Sequence, residues 1–256
     1  MLLTIDIGNT NITMGAFDGD ELVFSSRMTT DLSKMQDQYA VEILNIFKLY
    51  NVKKEDFTAS IISCVVPKLT SSISKAIKLV CGIDSLSVSS KLVPNLKVKD
   101  GSVSSLGADL IVGFVAAQKL YGCPHIVIDM GTATTVFVMD KDKFIRGGSI
   151  LPGMRISLDA LTHNASQLSS INLEAPDKVI SADTASCIQS GMVYGTASMI
   201  DGLCERMEEE LGYKCTIIAT GGLANTVVPH CKKDIILCDN LLLDGLKIIY
   251  EENSRK

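Results

Sequence analysis

The chain has no tryptophan, and only 5% of its 256 residues are aromatic. That leaves little to build a base-stacking platform for single-stranded nucleic acid. It also has no excess of positive charge: 24 Lys and Arg stand against 29 Asp and Glu, a net charge of −5 at pH 7. Such a surface lacks the electrostatic footprint of a protein that grips nucleic acid or an anionic membrane. The longest strongly apolar stretches, such as Leu110 to Ala117, are too short to span a bilayer. The opening Met1-Leu2-Leu3-Thr4-Ile5 carries no basic segment and runs into Asp6, so it does not read as an export signal. None of the eight cysteines forms a C-x-x-C pair, and none stands near a His at zinc-finger spacing. Reduced, mostly buried thiols in a cytoplasmic protein are the expectation. What is present is ordinary for a folded chain, with 46% apolar and 21% charged residues.

Hydrophobic patterning divides the chain into short strands and helices. Leu2 to Ile7 is an apolar strand, and Ile12 to Phe17 and Leu22 to Arg27 form a hairpin around Asp18-Gly19. Gln36 to Tyr50 has a helical period, with Tyr39, Ile43, Ile46, Phe47 and Tyr50 on one face. Ala59 to Val66 reads as a buried strand stopped by Pro67, followed by a helix from about Leu69 to Cys81. Lys91 to Leu106 is polar and reads as a loop, and a helix follows from about Ala108 to Tyr121. A strand at Ile126 to Met130 and a second hairpin, Thr134 to Met139 with Phe144 to Gly147, come next. His163 and Asn164 read as polar loop, Thr184 to Leu211 as a long helix, Cys215 to Ala219 as a strand and Leu241 to Tyr250 as a closing helix.

The second half restarts the first. Shifted by 123 positions, Ile5-Asp6-Ile7-Gly8 falls on Ile128-Asp129-Met130-Gly131, and the turn at Asp18 to Asp20 falls on Lys141 to Lys143. Two homologous α/β lobes are therefore expected, at 1–118 and 119–256. Each would carry a mixed sheet flanked by helices, with the two Asp-x-Gly loops opposed across a cleft.

Four motifs carry chemistry. Asp6-Ile7-Gly8-Asn9-Thr10-Asn11 places an acid at the end of a buried strand before a turn. Its glycine would let a phosphate approach the backbone, and its small polar residues are neutral donors. Asp6 suits Mg²⁺, directly or through water, because that ion takes one or two carboxylates and keeps several waters. A plain β-turn would also use Asp and Asn, bonding their own backbone. The repeat of the pattern at Asp129-Met130-Gly131-Thr132-Ala133-Thr134-Thr135 favours the phosphate reading, with hydroxyls for outer phosphates and Asp129 for a cation. In Gly107-Ala108-Asp109 the acid stands at the mouth of a helix. It either caps that helix or accepts the proton of a hydroxyl in phosphoryl transfer. Thr220-Gly221-Gly222 follows a buried strand and offers bare backbone to a flat ring or ribose.

With these motifs in this order, the chain resembles the type III pantothenate kinases, of the actin/Hsp70/sugar-kinase superfamily. The motifs are D-x-G-N-T-N at Asp6 to Asn11, G-A-D at Gly107 to Asp109 and D-x-G-T-A-T-T at Asp129 to Thr135. To these add G-G-x-I-x-P-G at Gly147 to Gly153 and A-T-G-G-L-A at Ala219 to Ala224. The resemblance implies two ribonuclease-H-like (actin-like) lobes and ATP-dependent phosphorylation of pantothenate to 4′-phosphopantothenate, the first step of coenzyme A synthesis. It implies that Asp6, Ile7, Gly8, Asn9, Thr10, Asn11, Ile12 and Thr13 line ATP on one lobe and that Thr132 contacts it from the other. Asp109 would be the catalytic proton acceptor, with Gly107, Ala108, Leu110 and Thr184 beside the acceptor substrate. Asp129 would bind a monovalent cation, K⁺ or NH₄⁺, while Asp6 serves Mg²⁺ through water. A homodimer is implied as well.

The chain departs from the family pattern on the acceptor side. G-A-D-R is usual, and Leu110 replaces the Arg. The stretch Val98 to Ser105 stands where the family usually has a Tyr and a Pro-Arg segment, and it is about two residues longer. Lys97, Lys99 and Arg155 are the cations available to compensate. A kinase of another small hydroxy compound, and a nucleotide-binding regulatory paralogue, are the competing readings.

Overall fold

A computed structural model describes residues 1–163 and 171–254. It divides into two compact units. The first holds Met1–Leu96, Gly101–Ala116 and the segment from Asn240 onward; the second holds Lys97–Asp100 and Ala117–Asp239. The division at 118/119 suggested by the repeat is therefore crossed twice, by a strand near residue 97 and by the last helix.

The first unit is built on a five-stranded sheet, ordered β3-β2-β1-β4-β5. Its strands are β1 (Leu2–Ile7), β2 (Asn11–Asp18), β3 (Glu21–Thr29), β4 (Ala59–Cys64) and β5 (Ser85–Ser87). β1 is central, antiparallel to β2 and parallel to β4. Buried on both sides, it is apolar throughout except for Thr4 and Asp6. One face of β1 carries Leu3, Ile5 and Ile7, which join the core under α1 (Gln36–Leu49) and α2 (Pro67–Cys81). Pro67 opens α2 at a position where its missing N–H is not needed, and Gly82 closes it at φ 74°. The other face, with Thr4 and Asp6, meets α7 (Leu241–Ser254), which packs on β1, β4 and β2. Gly245 makes the approach of α7 to α3 (Ala108–Tyr121) possible, since a Cβ there would stand 2.3 Å from the Val112 carbonyl oxygen.

The second unit repeats this plan. Its sheet runs β11-β10-β7-β8-β9-β6. β6 is Lys97–Val98, β7 is His125–Met130, β8 is Ala133–Met139 and β9 is Phe144–Pro152; β10 is Thr216–Thr220 and β11 is Ile235–Leu237. β7 is antiparallel to β8 and parallel to β10, as β1 is to β2 and β4. One core contains Ile126, Ile128 and Met130 of β7 with Val193, Ala197, Ile200 and Cys204 of α5 (Thr184–Leu211). Asp183 starts α5 by accepting the Ser186 amide at 3.0 Å, and Gly212 stops it at φ 77°. The equivalence has one slip. Asp6 pairs with Thr13 but Asp129 pairs with Thr135, so the second hairpin loop is one residue shorter.

Three local expectations are corrected. Lys91 to Leu106 is not all loop: β6 lies within it and pairs in parallel with β9. With only two residues, β6 is too short to show a period. β9 runs on to Pro152, well beyond Gly147, because Ile150 pairs with Thr135 across β8. His163 closes a helix, α4 (Met154–His163), while Asn164 lies outside the described residues. The cysteines are free thiols. Burial pushes Cys204 and Cys231 up to about 12, and Cys81 and Cys215 to about 11, which makes them poor nucleophiles.

Glu208 ties the end of α5 to the strands beyond it. It is 5% exposed and accepts hydrogen bonds from Lys233 Nζ at 2.7 Å, Lys214 Nζ at 2.8 Å and the Cys215 amide at 3.1 Å. Burial alone would raise its pKa; the two lysines and the amide outweigh that and hold it below the usual range. A depressed acid stabilises the fold above its unfolded pKa and loses that contribution as pH falls through the folded one. Glu208→Gln is therefore expected to cost about 1–3 kcal/mol at neutral pH. In thermal melts from pH 7 down to pH 3 the gap to wild type should close at the acid end. A gap independent of pH would refute the charge argument.

Candidate functional site

In both units the acids stand at the carboxyl end of the central strand, the edge where open α/β sheets bind ligands. On the first unit Asp6 is 9% exposed. Its register partners are Thr13 on β2 and Ser63 on β4, so the three side chains share a face. Ile7 and Ile12 pair with each other on the opposite face and are wholly buried in the core. Their side chains do not reach the site. Of the stretch Asp6 to Thr13, Asn9, Thr10 and Asn11 form the exposed loop.

Gly8 works differently from the expectation. Its amide donates to the Asn11 carbonyl at 3.0 Å, and a Cβ would sit 3.0 Å from that same oxygen. The glycine lets the loop close on itself, and its N–H is spent inside the turn. Thr30, which follows β3, braces the loop from outside. Its amide donates to the Thr10 carbonyl at 2.9 Å and its hydroxyl to the Gly8 carbonyl at 2.7 Å. Sequence reasoning missed Thr30, because a single Thr after a strand carries no local signal.

Asp109 belongs to the same edge. Gly107 packs within 3.8 Å of Val65, measured from where its Cβ would be, and the Val65 amide donates to the Ile7 carbonyl at 3.0 Å. The Asp109 carboxylate folds back so closely that a Cβ on Gly107 would collide with Oδ1. Oδ1 accepts the Leu110 amide at 2.8 Å. Burial pushes the carboxyl above the ordinary range, against the pull of the Leu110 amide and its own. Among the described residues no cation offsets this, as expected where Leu stands in place of Arg. The group is thus a desolvated carboxylate at a helix start, a better proton acceptor than an exposed one.

On the second unit Asp129 pairs with Thr135 on β8 and Thr220 on β10, again an acid between two hydroxyls. Two glycines clamp the loop after it. Gly221, at φ 98°, leaves no room for a Cβ, which would be 2.6 Å from Asp129 Oδ1 and from the Met130 amide nitrogen. Gly153 donates its amide to the Thr132 carbonyl at 3.1 Å, and a Cβ there would collide with the Gly131 and Thr132 carbonyl oxygens. The paired-glycine motif therefore seats Asp129 as well as offering bare backbone. Thr184 is exposed in the first turn of α5. The ammonium groups of Lys97 and Lys99 each lie 5.5 Å from the centre of the Phe144 ring. Both are held by an aromatic face rather than left to swing freely.

Both acid clusters offer only oxygen donors, which suits hard cations. Among the described residues no three His, Cys, Asp or Glu come together as a metal cage. A divalent ion beside Asp6 would need phosphate oxygens and water to complete its shell, as Mg²⁺ bound with a nucleotide does.

Comparisons with known proteins bear on the fold and the family. A solved structure described as a Baf family transcriptional activator from Campylobacter jejuni superposes with a TM-score of 0.63 at 20% identity, covering 99% of this chain and 100% of that one. One described as an N-acetylglucosamine kinase from Porphyromonas gingivalis gives 0.52 at 13% identity, with full coverage of both. These likenesses show that the fold is shared with those two proteins. In sequence, the type III pantothenate kinase of Finegoldia magna is 41% identical over 256 residues, 99% of this chain and 98% of that protein. The family model for type III pantothenate kinase matches residues 2–206. The chain belongs to the type III pantothenate kinase family.

Proposed function

We propose that the protein transfers the terminal phosphoryl group of ATP to pantothenate, giving 4′-phosphopantothenate for coenzyme A synthesis. The observation that carries this reading is the pairing of a family match across most of the chain with a desolvated carboxylate, Asp109, at the strand edge that also bears Asp6. Asp6 and the Asn9–Asn11 loop receive the nucleotide phosphates, and Thr132 also serves the nucleotide. Asp109 accepts the proton of the attacking hydroxyl. Because the transition state of phosphoryl transfer is loose, Asp109 acts chiefly by orienting that hydroxyl. Mg²⁺, arriving with ATP, supplies charge neutralisation at the phosphates when bound. Asp129 holds a monovalent cation, and Thr184 contacts the acceptor. The protein works as a cytoplasmic homodimer. Coupled ATP turnover against a panel of hydroxy acids, with and without K⁺, tests the reading. Turnover with another acceptor and none with pantothenate would favour a kinase of different specificity, the reading that Leu110 and the altered 98–106 stretch support.

Leu110→Arg is expected to raise kcat/KM for pantothenate and to move its acid limb. In wild type, activity should fall on acidification at a higher pH than an exposed carboxylate would impose, since Asp109 must be deprotonated and its pKa is raised. A neighbouring guanidinium favours the charged form and shifts that limb to lower pH. Unchanged pH profiles in the two proteins would remove Asp109 from the base role or Leu110 from its neighbourhood.

A further inference from the structure

Ser63 is a buried hydroxyl that the fold does not use. It lies at 0% exposure near the carboxyl end of β4, and among the described residues its Oγ has no hydrogen-bond partner. The contrast within the same sheet is sharp. Thr4, one step back on the Asp6 face, donates to the Gly15 carbonyl at 3.2 Å. Ser60, on the other face of β4, bonds Ser85 at 2.6 Å. Buried hydroxyls are normally satisfied, so one left alone calls for a reason. Its place supplies one: Ser63 is the direct register partner of Asp6 on the parallel strand, with its side chain on the same face. The second unit repeats the device. Thr220 holds the equivalent position on β10 and is the register partner of Asp129.

We propose that Ser63 is the positioning residue of the Asp6 site, its hydroxyl donating to the Asp6 carboxylate once a magnesium-bearing nucleotide is bound. The donation fixes the orientation of the carboxylate toward the hydrated ion. This rests on the reading of Asp6 as the Mg·ATP acid and adds the residue that aims it. Groups of this kind, which hold a metal-serving side chain in place, typically change metal affinity by about tenfold or more when removed.

The test is calorimetric titration of the full protein with the β,γ-imido analogue of ATP, with and without Mg²⁺, alongside thermal melts. In Ser63→Ala, the gain in affinity that Mg²⁺ confers on wild type should shrink about tenfold. Affinity without Mg²⁺ should hold. The melting temperature should stay level or rise, because the variant removes an unsatisfied buried group. Ser63→Thr, which copies the residue type of Thr220, should recover the Mg²⁺ gain. If Ser63→Ala keeps the full gain, the role of Ser63 falls while the reading of Asp6 stands. If it melts earlier and loses both affinities equally, Ser63 is only a packing residue and the proposal is overturned. A wild type with no Mg²⁺ gain overturns the Asp6 reading itself, and Ser63 with it.

Discussion

Asp109→Asn is expected to lower kcat by about 10²–10⁴-fold, the range typical of a lost general base. The fold is expected to survive the change. Asn keeps an oxygen that can accept the Leu110 amide, the bond that Oδ1 makes at 2.8 Å. The variant is expected to be as stable as wild type at neutral pH, or slightly more so. An acid whose pKa is raised by burial costs the fold free energy whenever it is charged, and Asn is never charged. On the proposed role of Asp109 toward the acceptor, nucleotide affinity should change little. The measurement is steady-state kinetics beside nucleotide binding and a melt. Near-normal turnover would reduce Asp109 to a helix cap. A large loss of nucleotide affinity would mean that it serves ATP instead.

Gly221→Ala is the second change with a large effect. At φ 98° an L side chain is strained, which costs about 1–3 kcal/mol. Its Cβ would also collide with Asp129 Oδ1 and with the backbone of Met130. Backbone cannot swing aside, so the end of β7 must move, at a further cost of about 1–3 kcal/mol. Gly82→Ala is the internal control. Its φ is 74°, but nothing lies within 4 Å of the added atom. It should cost only the left-handed strain, about 1–2 kcal/mol, and leave activity intact. Gly221→Ala should melt lower than Gly82→Ala and lose most of its turnover at temperatures where it is still folded. If the two variants melt alike and both stay active, the seating of Asp129 by Gly221 is refuted.

What was legible in the sequence was whatever has a local period or a local cap. α3 runs from Ala108 to Tyr121 as its apolar run suggests, and α5 from Thr184 to Leu211 between Asp183 and Gly212. The duplication was legible too, because an acid at the end of an apolar strand is rare enough to notice twice. What stayed hidden was set by long-range pairing. β6 forms only because Lys97 finds Phe144 and Val98 finds Ile145. The Gly8 amide reads as open to a phosphate until it is seen to bond the Asn11 carbonyl. Thr30 matters through two bonds to a loop some twenty positions earlier, and no spacing rule reports that. Ile7 and Ile12 belong to the same motif, yet strand alternation alone turns their side chains away from Asp6 and into the core.

The return of α7 to the first sheet has a consequence for how the protein is made. That sheet buries Thr4 and Gly15 beneath a helix that leaves the ribosome only after the whole second unit, residues 117–239, has been synthesised. At about 5–20 residues per second, this leaves one face of the first sheet waiting on the order of ten seconds. By the end of that interval the second unit has all its own strands and can fold, while the nascent first unit still shows Gly15 without its cover. A chaperone that recognises exposed sheet faces would find its target at the amino-terminal end of the growing chain.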